Sequence, residues 1–335
     1  MNRRGEQRAS RRPGTDDVRR LLVGSPPIYT RRQVAETAGI SRDLAARIWR
    51  ALGFATLPDD AVAYTEADLS ALRRIRHLLD AGLLDERTVI RMTRALGRTT
   101  GRLAQWQAEI MIESVLDRGG GDVAGVMDTV RRLLPDFEEM LLHVWRSQLT
   151  AAAGRLMSLT ELGQDVGPTR LMLAVGFADL VAFTRVTREL DEPALADLVE
   201  GFEALASDVV AAHGGRLVKT LGDEVLFTAG EPRAAALIAL DLVDELKAGE
   251  EGPDVRIGLA YGPVTPVMGD VFGTTVNLAA RLTAIARPGT IVADGEMAEV
   301  LGGVSDFDLV KLRRRPARGL GVVQPYVLRR PGRER

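Results

Sequence analysis

Apolar residues in the first half of the chain recur at helical spacing. Between 86 and 116 they fall at Val89, Met92, Leu96, Leu103, Ile110 and Val115, with Gly97 and Gly101 as points where the helix would break or bend. The run Gly119-Gly-Gly121 is a stop, and further helices are predicted over 123–134 and 136–157. Upstream, 29–54 holds two short helical patterns around Gly39-Ile40-Ser41, a turn followed by an N-cap residue. Thr65-Glu-Ala-Asp68 has the form of a capping box opening a helix towards Leu79.

From about residue 171 the pattern changes to short apolar runs alternating with helical segments. Strands are predicted at 171–177, 216–220, 224–228, 255–261, 290–292, 307–311 and 323–328, and helices at 193–212, 232–247 and 275–286. The pair at 216–220 and 224–228 forms a hairpin whose tip carries Leu221-Gly-Asp223. A β-α-β-β-α-β order with additions predicts a ferredoxin-like α+β domain. The expected organisation is a disordered Arg-rich tail over 1–20, an all-helical domain over 21–162, a linker at 163–170 and the α+β domain over 171–330.

Composition narrows the functional classes. At 335 residues the chain is long enough for two domains, and 46% apolar with 27% charged residues describes an ordinary globular protein. A net charge of -2 supplies no overall attraction for nucleic acid or for a membrane surface. The absence of cysteine excludes disulfides and thiolate metal sites and fits a cytoplasmic setting. No apolar run is long enough to span a bilayer, and the Arg-rich N-terminus lacks the apolar core of a secretory signal. Nearly every basic residue is Arg, and the only lysines are Lys219, Lys247 and Lys311. A lysine kept at 219 in so Arg-rich a chain suggests a need for a compact point charge there.

Chemistry concentrates in three segments: Phe177-Ala-Asp-Leu-Val-Ala-Phe-Thr184, Arg216-Leu-Val-Lys-Thr-Leu-Gly-Asp-Glu224 and Gly269-Asp-Val-Phe-Gly-Thr-Thr-Val-Asn-Leu-Ala-Ala-Arg281. Asp179 ends a predicted strand and Asp223 sits at the neighbouring hairpin tip, so both carboxylates converge on one sheet edge. Two hard oxygen ligands of this kind suit Mg²⁺ or Mn²⁺, with phosphate oxygens completing the shell. Either Asp alone would read as a solvated loop-end carboxylate. Phe183 and Thr184 fall at a helix start, where free backbone N–H groups hold phosphates.

Strict alternation puts Lys219 on the apolar sheet face of Leu217 and Leu221, and taken alone it reads as a lysine snorkelling from a strand end. Asp270, in a turn, reads alone as a cap. As a pair they match adenine, the ammonium donating to N1 and the carboxylate accepting from the 6-amino group, whereas guanine presents the opposite pattern. Asn277 and Arg281 stand at i and i+4, hence on one helix face. Arg281 can stabilise charge on a five-coordinate phosphorus, and Asn277 can hold the ribose for in-line attack.

These motifs resemble those of the class III nucleotidyl cyclases from about Arg170 to Leu328, and the compact 269–277 segment is most similar to the bacterial IIIc subgroup. The resemblance implies an adenylate cyclase that uses two Mg²⁺ or Mn²⁺ ions per active site. It implies Asp179, Asp223 and the Leu180 carbonyl as metal ligands, Lys219 and Asp270 as the adenine-selecting pair, and Asn277 and Arg281 as transition-state stabilisers. It also implies a head-to-tail homodimer, with the metal aspartates from one protomer and the other four residues from its partner. Many relatives carry a Lys-Gly pair near the C-terminus that reaches the triphosphate; the nearest match here is Arg318-Gly319, and Arg also binds phosphate. Leu221-Gly-Asp-Glu-Val225 superficially resembles the diguanylate cyclase hairpin but lacks its second glycine.

The segment from Tyr29 through Trp49-Arg-Ala-Leu-Gly-Phe54, with Tyr64-Thr-Glu-Ala-Asp-Leu69, resembles the helix-turn-helix of MerR-type regulators. That resemblance implies phosphate contacts from Arg31, Arg32, Arg42 and Arg47, and the alternative it supports is a nucleotide-sensing DNA-binding regulator. The favoured expectation is instead a helical scaffold that dimerises through 86–116 and 136–157 and controls the catalytic domain. His77 and His143 are candidate pH-responsive groups within it.

Overall fold

The computed structural model describes residues 15–117, 123–161, 170–181, 183, 190–248, 253–317, 319 and 321–332. The chain divides into two compact units, Met1–Arg155 and Leu156–Arg335. Thr184 and Arg318 lie outside the described residues.

The first unit is helical. Its elements are α1 (Thr15–Val23), β1 (Tyr29–Thr30), α2 (Arg31–Ala38), α3 (Arg42–Ala51), β2 (Val62–Tyr64), α4 (Glu66–Asp80), α5 (Glu86–Asp117) and α6 (Val123–Glu161), which runs on into the second unit. The caps are those that the sequence signals. Ser41 accepts from Leu44 N–H to start α3, and Thr65 with Asp68 forms a reciprocal capping box at α4. Val34, Leu44, Ile48, Trp49, Leu69, Leu72 and Val89 close a core between α2, α3, α4 and the start of α5. The short strands β1 and β2 pair antiparallel across it.

Two predicted breaks do not occur. α5 runs unbroken through Gly97 and Gly101, and α6 runs through Pro135. Pro135 lacks the N–H that would reach back one turn, but α6 continues on both sides of that single missing bond. Gly97 has a packing reason: a Cβ there would lie 2.5 Å from the Leu52 backbone, where α5 crosses the end of α3. Gly101 faces open space.

The second unit is the expected α+β domain. Its elements are β3 (Leu171–Leu180), α7 (Glu192–Ala212), β4 (Arg216–Leu221), β5 (Glu224–Ala229), α8 (Pro232–Ala248), β6 (Val255–Val267), β7 (Asp270–Phe272), α9 (Thr274–Ile285), β8 (Ile291–Ala293), α10 (Gly295–Leu301), β9 (Asp308–Lys311), β10 (Arg315–Ala317), β11 (Gly321–Val323) and β12 (Tyr326–Arg329). Within the sheet the order is β4-β5-β3-β6-β8-β12-β9, with β7 paired to β6. Its first four strands, β4-β5-β3-β6, are antiparallel and have the arrangement of a ferredoxin-like β-α-β-β-α-β unit. The sequence pattern did not signal β7, α10 or the small β10–β11 hairpin, whose segments are too short to show a period.

Strand alternation divides β3 between two layers. Ala174, Ala178 and Leu180 pack with Phe202 of α7 and Ile238 and Leu242 of α8 in the larger core. Val175 and Phe177 face the opposite layer with Leu226, Ala260 and Ala279, under α9. α9 lies very close to β6, because a Cβ on Gly258 would sit 2.2 Å from Thr283 N and 2.3 Å from Ala279 O. Thr275 donates its hydroxyl to the Pro263 carbonyl at 2.9 Å, tying the helix to β6, and the Thr283 hydroxyl lies between the carbonyls of Ala279 in its own helix (3.0 Å) and Phe177 on β3 (3.3 Å).

Candidate nucleotide site

Asp179 shares the α9 face of β3 with Val175 and Phe177, and pairs in register with Glu224 on β5 and Arg256 on β6. The β4–β5 hairpin closes through Gly222 (φ +68°) and Asp223, a two-residue tip that needs the glycine's left-handed conformation. Leu180 N–H donates to the Asp223 carbonyl at 3.0 Å, which ties the tip to the end of β3. The two segments that bear the aspartates are thus joined by a backbone hydrogen bond. Burial, and then the neighbouring Asp179 and Asp223 charges, push the Glu224 carboxyl above its usual range.

The residues that could hold a metal here are the Asp179 and Asp223 carboxylates with the Leu180 backbone carbonyl, all hard oxygen donors. This set suits Mg²⁺ or Mn²⁺ completed by phosphate oxygens. No group of three or more His, Cys, Asp or Glu side chains is arranged to hold a metal among the described residues.

Motif reasoning missed Arg256. Its Nε donates to Asp179 Oδ2 at 2.7 Å, and its Nη2 joins the same oxygen. The available signal was an arginine inside the apolar run Val255-Arg-Ile-Gly-Leu-Ala260, which no motif singled out.

Lys219 departs from the strict alternation of β4. The register shifts between Leu217, opposite Phe227, and Lys219, opposite Leu226. Phe227 belongs to the larger core and Leu226 to the layer beneath α9, so this bulge at Val218 moves Lys219 away from the face of Leu217. There its Nζ donates to Asp270 Oδ2 at 2.6 Å. Asp270 is held in turn. Its Oδ1 accepts from Val271 N–H at 2.8 Å, and the preceding Met268-Gly269 turn has φ +52° and +85°, as in a type I′ hairpin. Arg216 braces that turn by donating to the Gly269 carbonyl.

Asn277 and Arg281 stand on α9, whose buried positions are Thr275, Ala279, Leu282 and Thr283. Both are exposed, so they lie on the side of the helix turned away from the sheet. The fold brings Lys219 to Asp270 and the Asp179 strand end to the Asp223 tip, but it directs Asn277 and Arg281 outwards. Phe183 packs against the larger core.

Three of the four arginines considered for DNA contact are engaged within the first unit. Arg31 pairs with Asp59, Arg42 with Glu36, and Arg47 with Glu86 at 3.1 Å. His77 and His143 are exposed on α4 and α6.

A ferredoxin-like sheet with aspartates on two hydrogen-bonded segments, a Lys–Asp pair and an Asn/Arg helix is the architecture of a nucleotidyl cyclase catalytic domain. Comparison with known proteins agrees. Residues 170–330 match the adenylate and guanylate cyclase catalytic domain, and residues 5–152 match the adenylate cyclase regulatory domain. An adenylate cyclase of Streptomyces coelicolor is 44% identical over 339 residues, covering 92% of this chain and 88% of its own. An adenylate cyclase of Streptomyces griseus is 42% identical over 355 residues, covering 93% and 88%. Among solved structures, the catalytic core of a rhodopsin-guanylyl cyclase with converted specificity, in complex with ATPαS, aligns at TM-score 0.45 and 26% identity over 48% of this chain and 97% of that one. The chain belongs to the adenylate and guanylate cyclase family and is an enzyme of that family. No helix among the described residues is long and apolar enough to cross a membrane.

Proposed function

We propose that this protein is an adenylate cyclase that converts ATP to 3′,5′-cyclic AMP and pyrophosphate at sites shared between two copies of the chain. The observation that carries the reading is the Lys219–Asp270 pair, held at 2.6 Å by a β-bulge and a tight turn. Its donor and acceptor match the N1 and 6-amino positions of adenine and clash with those of guanine.

Asp179, Asp223 and the Leu180 carbonyl would hold two divalent cations, which when bound lower the pKa of the 3′-hydroxyl and offset triphosphate charge. The ribose 3′-oxygen attacks the α-phosphorus while the bond to the bridging oxygen of the β-phosphate breaks. Pyrophosphate leaves, and the hydroxyl proton passes to solvent or to a substrate phosphate. Asn277 orients the ribose, and Arg281 meets the charge that develops on the five-coordinate phosphorus. The N–H groups at Phe183 and Thr184 and the guanidinium of Arg318 bind the phosphate chain.

The outward direction of Asn277 and Arg281 on α9 supports a partner copy as the source of these two groups for each pair of aspartates. Dimerisation through the first unit has its own support. α5 exposes Met92, Leu96, Trp106 and Ile110, and α6 exposes Leu133, Met140, Trp145 and Leu149, surface that a second copy would bury. In this scheme the helical unit controls activity by setting how the catalytic domains meet.

The test is product formation by the purified full-length protein with ATP or GTP, each with Mn²⁺ or Mg²⁺. Cyclic AMP from ATP, with little product from GTP, is the expected result. Equal turnover of both nucleotides would refute the role of the Lys219–Asp270 pair, and no product with either would refute the catalytic reading.

A further inference from the structure

Lys219 and Asp270 are 51 residues apart in sequence, and they are not equally well held. Lys219 lies on β4, which pairs with β5 along its length apart from the bulge at Val218. Asp270 opens β7, a strand of three residues that pairs with the last three residues of β6. The turn between these strands, Met268-Gly269, has both residues at positive φ, and Met268 is the one non-glycine residue with positive φ among the described residues. A side chain such as methionine works against a turn of this kind, which favours Asn-Gly. Val271 is buried, but Val267, Met268 and Phe272 are all exposed, so burial does little to hold the tip.

Arg216, at the start of β4, reaches the tip from outside the hairpin. Its guanidinium donates to the Gly269 carbonyl across 53 residues. Two neighbouring residues of the hairpin are thus held by two residues of one strand, Asp270 through its side chain by Lys219 and Gly269 through its backbone by Arg216. The Arg216 contact does not depend on what the Asp270 side chain does. That difference matters when a base arrives, because Lys219 and Asp270 then turn hydrogen-bonding capacity from each other to the ligand. Guanine presents acceptor and donor in the reverse order from adenine, so the pair fits it only with Asp270 on the other side of the ammonium. A fixed turn forbids that exchange, and a loose one allows it.

We propose that Arg216 is a positioning residue for nucleotide selection: it clamps the Met268-Gly269 turn so that Asp270 stands on the adenine-reading side of Lys219. The inference rests on the proposed adenine-selecting role of the Lys219–Asp270 pair and adds the residue that keeps that pair in order. Arg216 touches no reacting atom in this scheme and acts through the turn. Arginine suits the task, because its planar donors fix the direction of the bond while its charge strengthens it.

The test compares the full-length wild type with Arg216→Met, Arg216→Lys and Asp270→Ala, measuring kcat/KM for ATP and for GTP with Mn²⁺. Arg216→Met keeps the aliphatic stem and loses the donor. It should lower the preference for ATP over GTP by about threefold to tenfold, the range for a single hydrogen bond, mainly by raising KM for ATP. Arg216→Lys, still a donor, should keep most of the preference. Met268→Asn, which suits the backbone of the turn, should restore it when added to Arg216→Met. Hydrogen exchange over residues 265–272 should be faster in Arg216→Met than in the wild type, whatever the turnover of the variant. Unchanged preference or unchanged exchange in Arg216→Met would overturn the proposal, as would an equal loss of kcat with both nucleotides at constant preference. A wild type that does not prefer ATP, or an Asp270→Ala variant that keeps the preference, would remove the Lys219–Asp270 reading itself and the proposal with it.

Discussion

Arg256 and Asp179 sit directly opposite each other on β6 and β3, and the guanidinium occupies one oxygen of the carboxylate proposed to bind metal. A cation that reaches Asp179 must share it with, or take it from, this arginine. The Asp179 side chain is 13% exposed and that of Arg256 37%, so the pair is only partly screened by solvent. We expect Arg256→Gln to lower the half-saturating Mn²⁺ concentration for binding by about fivefold, the equivalent of about 1 kcal/mol. Calorimetric titration of the nucleotide-free protein reads this directly; unchanged binding would show that the arginine does not compete with the cation, and weaker binding that it supports the metal site.

Lys219 and Asp270 should fail together. Each single alanine variant leaves a half-buried charge without its partner, whereas the double variant removes both. With both side chains about one-third exposed or less, the coupling expected in a double-mutant cycle of unfolding is on the order of 1 kcal/mol. On activity, either single change should reduce the preference for ATP over GTP by about tenfold to a hundredfold, the cost of one lost hydrogen bond in a specific pocket. Steady-state kinetics with both nucleotides measure it.

Asp223→Ala and Arg281→Ala should each abolish activity. If sites are shared, mixing the two variants restores one intact site in each mixed dimer, about a quarter of wild-type activity at random assortment. Silence from a mixture in which mixed dimers are demonstrated would rule out sharing.

Two glycines in α5 should respond oppositely to the same substitution. Gly97→Ala drives a Cβ into the Leu52 backbone and should destabilise the helical unit by about 1–3 kcal/mol. Gly101→Ala enters open space and should stabilise it by about 0.5–1 kcal/mol by improving helix propensity. Thermal unfolding followed by circular dichroism separates the two.

Asp294 caps α10 and is 5% exposed, its Oδ1 accepting from Met297 N–H at 2.9 Å. Burial pushes its carboxyl up to about 6 from 3.8. The folded state therefore holds this proton more tightly than the unfolded chain. The resulting stability is fully present below about 3.8 and is lost as pH rises through about 6, with a ceiling of about 3 kcal/mol. Asp294→Asn keeps the cap acceptor without the charge and should flatten the stability of the catalytic unit between those two pH values, as seen in denaturant titrations across the range.

The helices of the first unit and the strand order of the second were legible because hydrophobic period and capping residues act over a few positions. Thr65 with Asp68 and Ser41 announced their helices locally, and the residue types at 179, 219, 223, 270, 277 and 281 stated their chemistry without reference to the fold. Where each side chain points was decided by tertiary structure. Period-two reasoning placed Lys219 with Leu217, and one extra residue at Val218 turned it to the other face. That bulge lies inside a local hairpin, but one unpaired residue leaves no mark in the period-two pattern. Arg256 gained its relation to Asp179 only through pairing across 77 residues. Gly97 looked like a helix breaker until the Leu52 backbone occupied the space beside it. Sequence by itself determined the elements and the reactive groups, since both depend on near neighbours. Register and close approach belong to contacts between distant segments, so only the folded chain decided them.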